Sequence, residues 1–336
     1  MKLKNYKLTD PGFWQGRIDD PNDPDSYRMH QIIKLLDLNN LETLKVNTSR
    51  LNICFLGYCC DEGIKRNLGR PGAKHGPEDI RKEFANLPVS FGDQAIIYDA
   101  GDIFCYENEM EESQKQLGVA VEIMLGNNMF PLVLGGGHEL AYGHFNGIIN
   151  YLQKQTKGSP QIGIINFDAH FDLRPYESKG SSGTMFSQIA DKCSNENIEF
   201  NYLCLGIQTS ANTKSLFKKA DSLGGKYILA KEFIEFNKEK ISTKIKDFIN
   251  ENEFIYLTLC SDVFNSAFAP GVSSLQPFGL NPEFVLTIIK EIIKSKKVIS
   301  FDIAEVSPRF DHDKRTAKLA SIIIYALINS LTGIKD

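Results

Sequence analysis

Short apolar or β-branched runs recur along the chain, and stretches with helical spacing separate most of them. The runs are Asn52–Gly57, Ala95–Tyr98, Phe130–Leu134, Gly163–Phe167, Tyr202–Leu205, Tyr227–Leu229, Ile255–Leu259 and Val298–Ile303. Near-continuous apolar segments of this length fit strands buried on both faces. The clearest helix start is Asn281-Pro282-Glu283, which offers a capping side chain, a proline in the first turn and an acid near the positive end. Val285, Ile288, Ile289, Ile292 and Ile293 then fall on one helical face. The alternation predicts a three-layer α/β/α fold around a parallel sheet of about eight strands. No repeat, low-complexity segment or linker divides the chain, so residues 1–336 are expected to form a single domain. Ligands of such sheets bind beyond the carboxyl ends of the strands.

The polar motifs fall at those ends. Asn166-Phe167-Asp168-Ala169-His170-Phe171-Asp172 follows the apolar run Ile162–Ile165. In an extended strand end, alternation would turn Asp168, His170 and Asp172 to one side. Two carboxylates and an imidazole converging there suit Mn²⁺, Fe²⁺, Co²⁺ or Zn²⁺; the bland alternative is a solvated turn. Gly135-Gly136-Gly137-His138-Glu139 follows Pro131–Leu134, and its glycines permit a sharp turn and a close approach. It lacks the lysine and spacing of a phosphate loop. Cys260 and Asp262 share one face at the end of another predicted strand, and Asp302 to Glu305 closes the last one. Taken singly, a buried cysteine is usually a small hydrophobe, and a terminal carboxylate is often a cap or a surface ion pair.

Composition narrows the classes. Of 336 residues 42% are hydrophobic and 24% charged, enough for a large core. A net charge of −4 with no long basic run argues against nucleic-acid or anionic-membrane partners. No apolar stretch is long enough to span a bilayer, and Met1 to Asp10 lacks an apolar signal core. Seven scattered cysteines do not form a disulfide framework, which points to the cytoplasm. Cys59-Cys60 cannot chelate in the C-x-x-C manner; Cys54 and Cys204 read as core residues. His75 reads as a loop residue, His144 and His312 as helix or surface residues, and His30 is uninformative.

Together the motifs resemble the ureohydrolase family of arginases, agmatinases and formimidoylglutamases. Asp168 to Asp172 matches its DAHxD element, Gly135 to His138 its GG-x-H element, Cys260 to Gly271 its D-x-D…APG element, and Asp302 to Glu305 its late glutamate motif. Trp14 to Asp19, Asn67 to Pro77, Phe171 to Arg174 and Ser182 to Phe186 resemble the formimidoylglutamase branch in particular. Arginases usually carry a proton-shuttling histidine near the place of Phe186, and this chain departs from them there.

The resemblance implies a homo-oligomeric enzyme with two Mn²⁺ ions, whose shared hydroxide attacks a linear amidine, N-formimino-L-glutamate, in histidine breakdown. Carried over by position, His138 and Asp172 would hold one ion, His170 and Asp262 the other, and Asp168 both. Asp172 would also pass a proton to the departing nitrogen, and Glu305 would pair with the cationic formimino group. Arg174, Ser182 and Thr184 are expected at the substrate, with Arg174 on a carboxylate. The family's second bridging aspartate falls on Cys260, counted back from Ala269. A thiolate there restores the negative charge but is softer and binds through one atom, which favours Fe²⁺, Co²⁺ or Zn²⁺, or leaves a single ion. Two alternatives accompany this reading. One is a non-catalytic relative with a binding role; the other is a hydrolase of a different guanidino or amidine compound.

Overall fold

The computed structural model describes residues 2–334 except 42, 43, 45 and 157. Among the described residues a ten-stranded sheet forms from β1 (Tyr6–Lys7), β2 (Lys34–Leu35), β3 (Leu51–Cys59), β4 (Ala95–Phe104), β5 (Phe130–Gly135), β6 (Ile162–Phe167), β7 (Asn201–Ile207), β8 (Lys226–Leu229), β9 (Phe254–Cys260) and β10 (Val298–Ala304). The order is β1-β4-β3-β5-β10-β9-β6-β7-β8, with β2 also on β4. Every apolar run named above is one of the eight long parallel strands, extended by a few residues. The two additions are two-residue strands at the edge, and β1 pairs antiparallel with β4. The sheet is therefore mixed at that edge rather than wholly parallel.

Alternating side chains feed two cores. Ile53, Phe55, Leu132, Leu134, Ile255, Leu257 and Phe301 pack toward helices Gly76–Ala85, Lys238–Asn250, Pro282–Ile293 and Arg315–Thr332. Cys54, Leu56, Val133, Ile164, Tyr202 and Tyr256 pack toward Met110–Gly126, Leu140–Gln155, Met185–Asn195 and Lys214–Ser222. Each large apolar side chain so buried contributes about 1.5–3 kcal/mol relative to exposure. The helix at Pro282–Ile293 begins as its sequence dictates: the Asn281 side chain accepts from Glu283 N at 2.8 Å, and the five apolar positions are buried.

One register relation matters for the site. On β9 and β10, Thr258 lies opposite Asp302 and Cys260 opposite Ala304. Period-two alternation puts Tyr256, Thr258, Cys260, Ser300 and Asp302 on the same face, the face covered by helix Leu140–Gln155. A buried polar stripe thus runs under the carboxyl ends of the central strands.

Candidate metal centre

The loops after β5, β6, β9 and β10 meet at one pocket of about 310 Å³. Its lining includes His138, His170, Asp172, Cys260, Asp262 and Glu305. The strands end just before the polar groups. β6 stops at Phe167, so Asp168, His170 and Asp172 lie in an irregular loop, and Asp172 adopts a left-handed φ of 50°. Their convergence comes from that loop and not from the strand alternation expected. Likewise Cys260 ends β9, whereas Asp262 sits in the 3₁₀ turn Ser261–Val263. Glu305, just beyond β10, has φ 66°. Side chains with a Cβ rarely adopt this region, and such backbone is held in place by its surroundings.

Glycine makes the His138 loop possible. A Cβ on Gly136 would lie 2.1 Å from Cys60 O and 2.5 Å from Tyr58 O. Gly136 N donates to Tyr58 O at 3.0 Å, and Gly136 O accepts from Glu305 N at 2.9 Å. The next loop residues bond in turn: His138 N donates to Glu305 Oε1 at 3.1 Å.

Asp168 is fully buried beneath the pocket, and its two oxygens are divided. Oδ2 lies 3.0 Å from His138 Nδ1; Oδ1 accepts from His170 N at 2.8 Å and lies 3.4 Å from His170 Nδ1. Asp172 Oδ2 is 3.3 Å from His138 Nδ1, and Asp262 Oδ2 is 3.1 Å from His170 Nδ1. Donor atoms of His138, Asp168 and Cys260 all lie within 4.8 Å of one another, as do those of Asp168, His170 and Asp262.

The proton arrangement at His138 follows from its neighbours. Thr258 Oγ1 donates to Asp302 Oδ1 at 2.6 Å, so toward His138 Nε2, 2.9 Å away, it accepts. Nε2 therefore carries a proton, a tautomer assigned from the network. Nδ1 faces Asp168 and Asp172, yet both lie off the line an N–H···O bond needs, and it has no hydrogen-bond partner. Asp262 Oδ1 and Glu305 Oε2 are also buried without partners. Each such group costs about 1–3 kcal/mol if left so. A bare nitrogen and carboxylate oxygens around one cavity fit divalent cations.

The titration tendencies agree. Burial opposes a charged imidazole, but Asp168 and Asp172 push His138 well upward; Asp262 and Asp168 do the same to His170. Burial likewise opposes charge on Asp168, yet its histidine neighbours hold it below the usual carboxylate range. Burial, then Asp168, lifts Asp172 to about 6. Burial and the nearby carboxylates raise Glu305 and the Cys260 thiol well above their ordinary values. Asp172, Glu305 and Cys260 are lifted and the two histidines favour the charged form because the cluster lacks positive charge; a bound cation would supply that charge in place of a proton on His138 Nδ1.

The remaining predicted residues divide. Arg174 and Ser182 line the mouth together with Asn67, Arg70, Ser273 and Ser274. Thr184 is buried behind it, its hydroxyl accepting from Ser181 N at 2.8 Å. His144 is no surface residue. It is fully buried, with Nδ1 2.7 Å from Asp302 Oδ2 and Nε2 2.5 Å from Ser300 Oγ. Tyr256 Oη also donates to Asp302 Oδ2, at 2.5 Å. Phe186 packs edge-on to the His138 ring at 5.7 Å, placing no proton-carrying group there. His75 borders a different cavity, beside Cys59 and Cys105.

The arginase-family model matches residues 51–329. A formimidoylglutamase of Clostridium tetani (strain Massachusetts / E88) is 50% identical over 331 residues, covering 98% of this chain and 97% of that protein. One from Geobacillus sp. (strain WCH70) is 46% identical over 94% of each. Among solved structures, a formimidoylglutamase from Bacillus subtilis aligns with a TM-score of 0.78 at 22% identity, over 97% of this chain and 98% of that one. Trypanosoma cruzi formiminoglutamase with Mn²⁺ aligns with a TM-score of 0.75 at 23% identity, over 89% and 99%.

Proposed function

The chain belongs to the arginase family, and from that membership we propose how its pocket hydrolyses N-formimino-L-glutamate to L-glutamate and formamide. The observation that supports these roles best is the set of partnerless buried atoms, His138 Nδ1, Asp262 Oδ1 and Glu305 Oε2, around one cavity. His138, Asp172 and Cys260 would hold one divalent ion, His170 and Asp262 a second, and Asp168 would take part in both. Ions bound there would supply Lewis acidity and lower the pKa of a water. Mn²⁺ is the metal named for the Trypanosoma cruzi relative, and it is the starting candidate here.

The chain's own groups do the rest. Glu305 is fixed through Oε1 by His138 N, which leaves Oε2 for the planar formimino cation. Arg174 at the mouth takes a substrate carboxylate, and Ser182 beside it offers a hydroxyl. Water oxygen adds to the formimino carbon, and the bond from that carbon to the glutamate nitrogen breaks. Asp172, at the pocket wall, receives the water proton and delivers it to the leaving nitrogen. Phe186 closes the space behind His138 against solvent.

The wider setting is read the same way. Residues 1–336 act as one arginase-like domain, supported by a single sheet that takes strands from Tyr6 to Ala304. Cytoplasmic residence is supported by seven free thiols, and among the described residues no helix is long and apolar enough to cross a membrane. A homo-oligomer and a place in histidine breakdown complete the proposal.

Two variants separate the roles. Arg174→Ala should raise KM about tenfold or more with kcat nearly unchanged, since a hydrogen bond to a charged group is worth about 1.5–3 kcal/mol. Glu305→Gln should lower kcat/KM by about 10²-fold in a protein that still folds and still binds metal. An Arg174→Ala variant with wild-type KM would remove that residue from the substrate.

A further inference from the structure

The two groups of donors are not alike. His138 and Asp168 share theirs with the Cys260 sulfur. His170 and Asp168 share theirs with Asp262 and with no sulfur. From this we infer that the centre is heterobinuclear: a thiophilic late first-row dication such as Co²⁺ or Zn²⁺ at the His138–Cys260 position, and a harder ion such as Mn²⁺ at the His170–Asp262 position. The inference rests on the pair of ion positions proposed above.

The asymmetry is built into the strands. Cys260 is the last residue of β9, locked in register with Ala304 of β10 and 2% exposed. Its side chain shares the sheet face of Thr258, which orients His138 from behind. The thiolate thus arrives from a strand end, and the imidazole from a loop that Thr258 of the same strand orients. A carboxylate at residue 260 could lend one oxygen to each ion; a single sulfur offers one donor atom. Asp168 is left as the carboxylate whose two oxygens face the two histidines. Nitrogen and sulfur donors favour ions late in the Mn²⁺ to Cu²⁺ affinity order, whereas a position of imidazole and carboxylates suits Mn²⁺. Mixed loading therefore satisfies both positions better than two identical ions.

The test uses full-length, metal-stripped protein under anaerobic conditions. One equivalent of Co²⁺ and two of Mn²⁺ are added, in either order, and unbound metal is removed by gel filtration. The expected result is about one cobalt and one manganese per chain, with a near-ultraviolet sulfur-to-cobalt charge-transfer band, whichever ion is added first. Cys260→Ser and Cys260→Asp should lose the band, and Cys260→Asp should take Mn²⁺ at both positions. Bound cobalt without the band, or manganese displacing cobalt to leave two manganese per wild-type chain, would overturn the inference. Formiminoglutamate turnover on the same samples separates the two levels. Two manganese, no band and full turnover would sink the heterobinuclear centre while leaving the proposed function intact; retention of neither metal would sink both.

Discussion

Thr258 has one hydroxyl proton and two neighbours placed to receive it. Asp302 takes it at 2.6 Å, which obliges His138 to present Nε2–H to the threonine and a bare Nδ1 to the pocket. Asp302 is itself fixed by Tyr256 and His144, and His144 by Ser300. A partner that sets the tautomer of a ligating histidine typically matters 10–100-fold in metal affinity. Thr258→Val keeps the shape and removes the hydroxyl, so metal affinity should fall by about that range while the circular dichroism stays native. Thr258→Ser should restore it. Equal affinity in the valine variant, measured by chelator competition, would show that His138 needs no such support. This network was illegible in the sequence. Asp302 and His144 lie far apart in the chain, and a lone histidine in a helix says nothing of what it faces. Asp168, His170 and Asp172 were legible because they crowd into five residues directly after an apolar run.

At the level of elements, the strands were legible because each is an uninterrupted apolar run, and their ends located the pocket. What the pattern could not give was the conformation just past each end. Asp172 and Glu305 are left-handed, and Asp262 lies in a 3₁₀ turn. Loop hydrogen bonds with partners from other strands set these conformations. The two-residue strands β1 and β2 were missed because runs so short carry no periodicity. The Gly135–Gly137 segment ties these ends together, since Gly136 bonds to both Tyr58 and Glu305. Gly136→Ala would push a methyl group against backbone oxygens that cannot move independently. It should cost about 1–3 kcal/mol or more and displace both His138 and Glu305. A thermal melt together with metal content would show both losses; native values for both would mean the loop has slack.

Across the whole molecule, stability and chemistry occupy different parts of the sheet. Away from the pocket, Arg81 is fully buried, donating to Asp99 at 2.8 and 2.9 Å and to Asp102 at 2.6 Å. Trp14 Nε1 joins at Asp99 with a 2.7 Å bond, so the Trp14 motif of the sequence is anchored here and outside the pocket lining. Arg81→Met would strand two buried carboxylates and should destabilise by about 3–5 kcal/mol. In denaturant unfolding the midpoint should drop, while turnover per folded molecule at low temperature stays near wild type. Loss of turnover without loss of stability would place this cluster in the catalytic apparatus instead.

The deciding measurement is product release by wild-type protein stripped of metal and then reloaded, given N-formimino-L-glutamate, arginine or agmatine in parallel. The expected result is glutamate and formamide in equal amounts from the first, little before reloading, and no comparable urea from the other two. Faster turnover of arginine or agmatine, or no turnover of any of them under Mn²⁺, Co²⁺ or mixed loading, would contradict it.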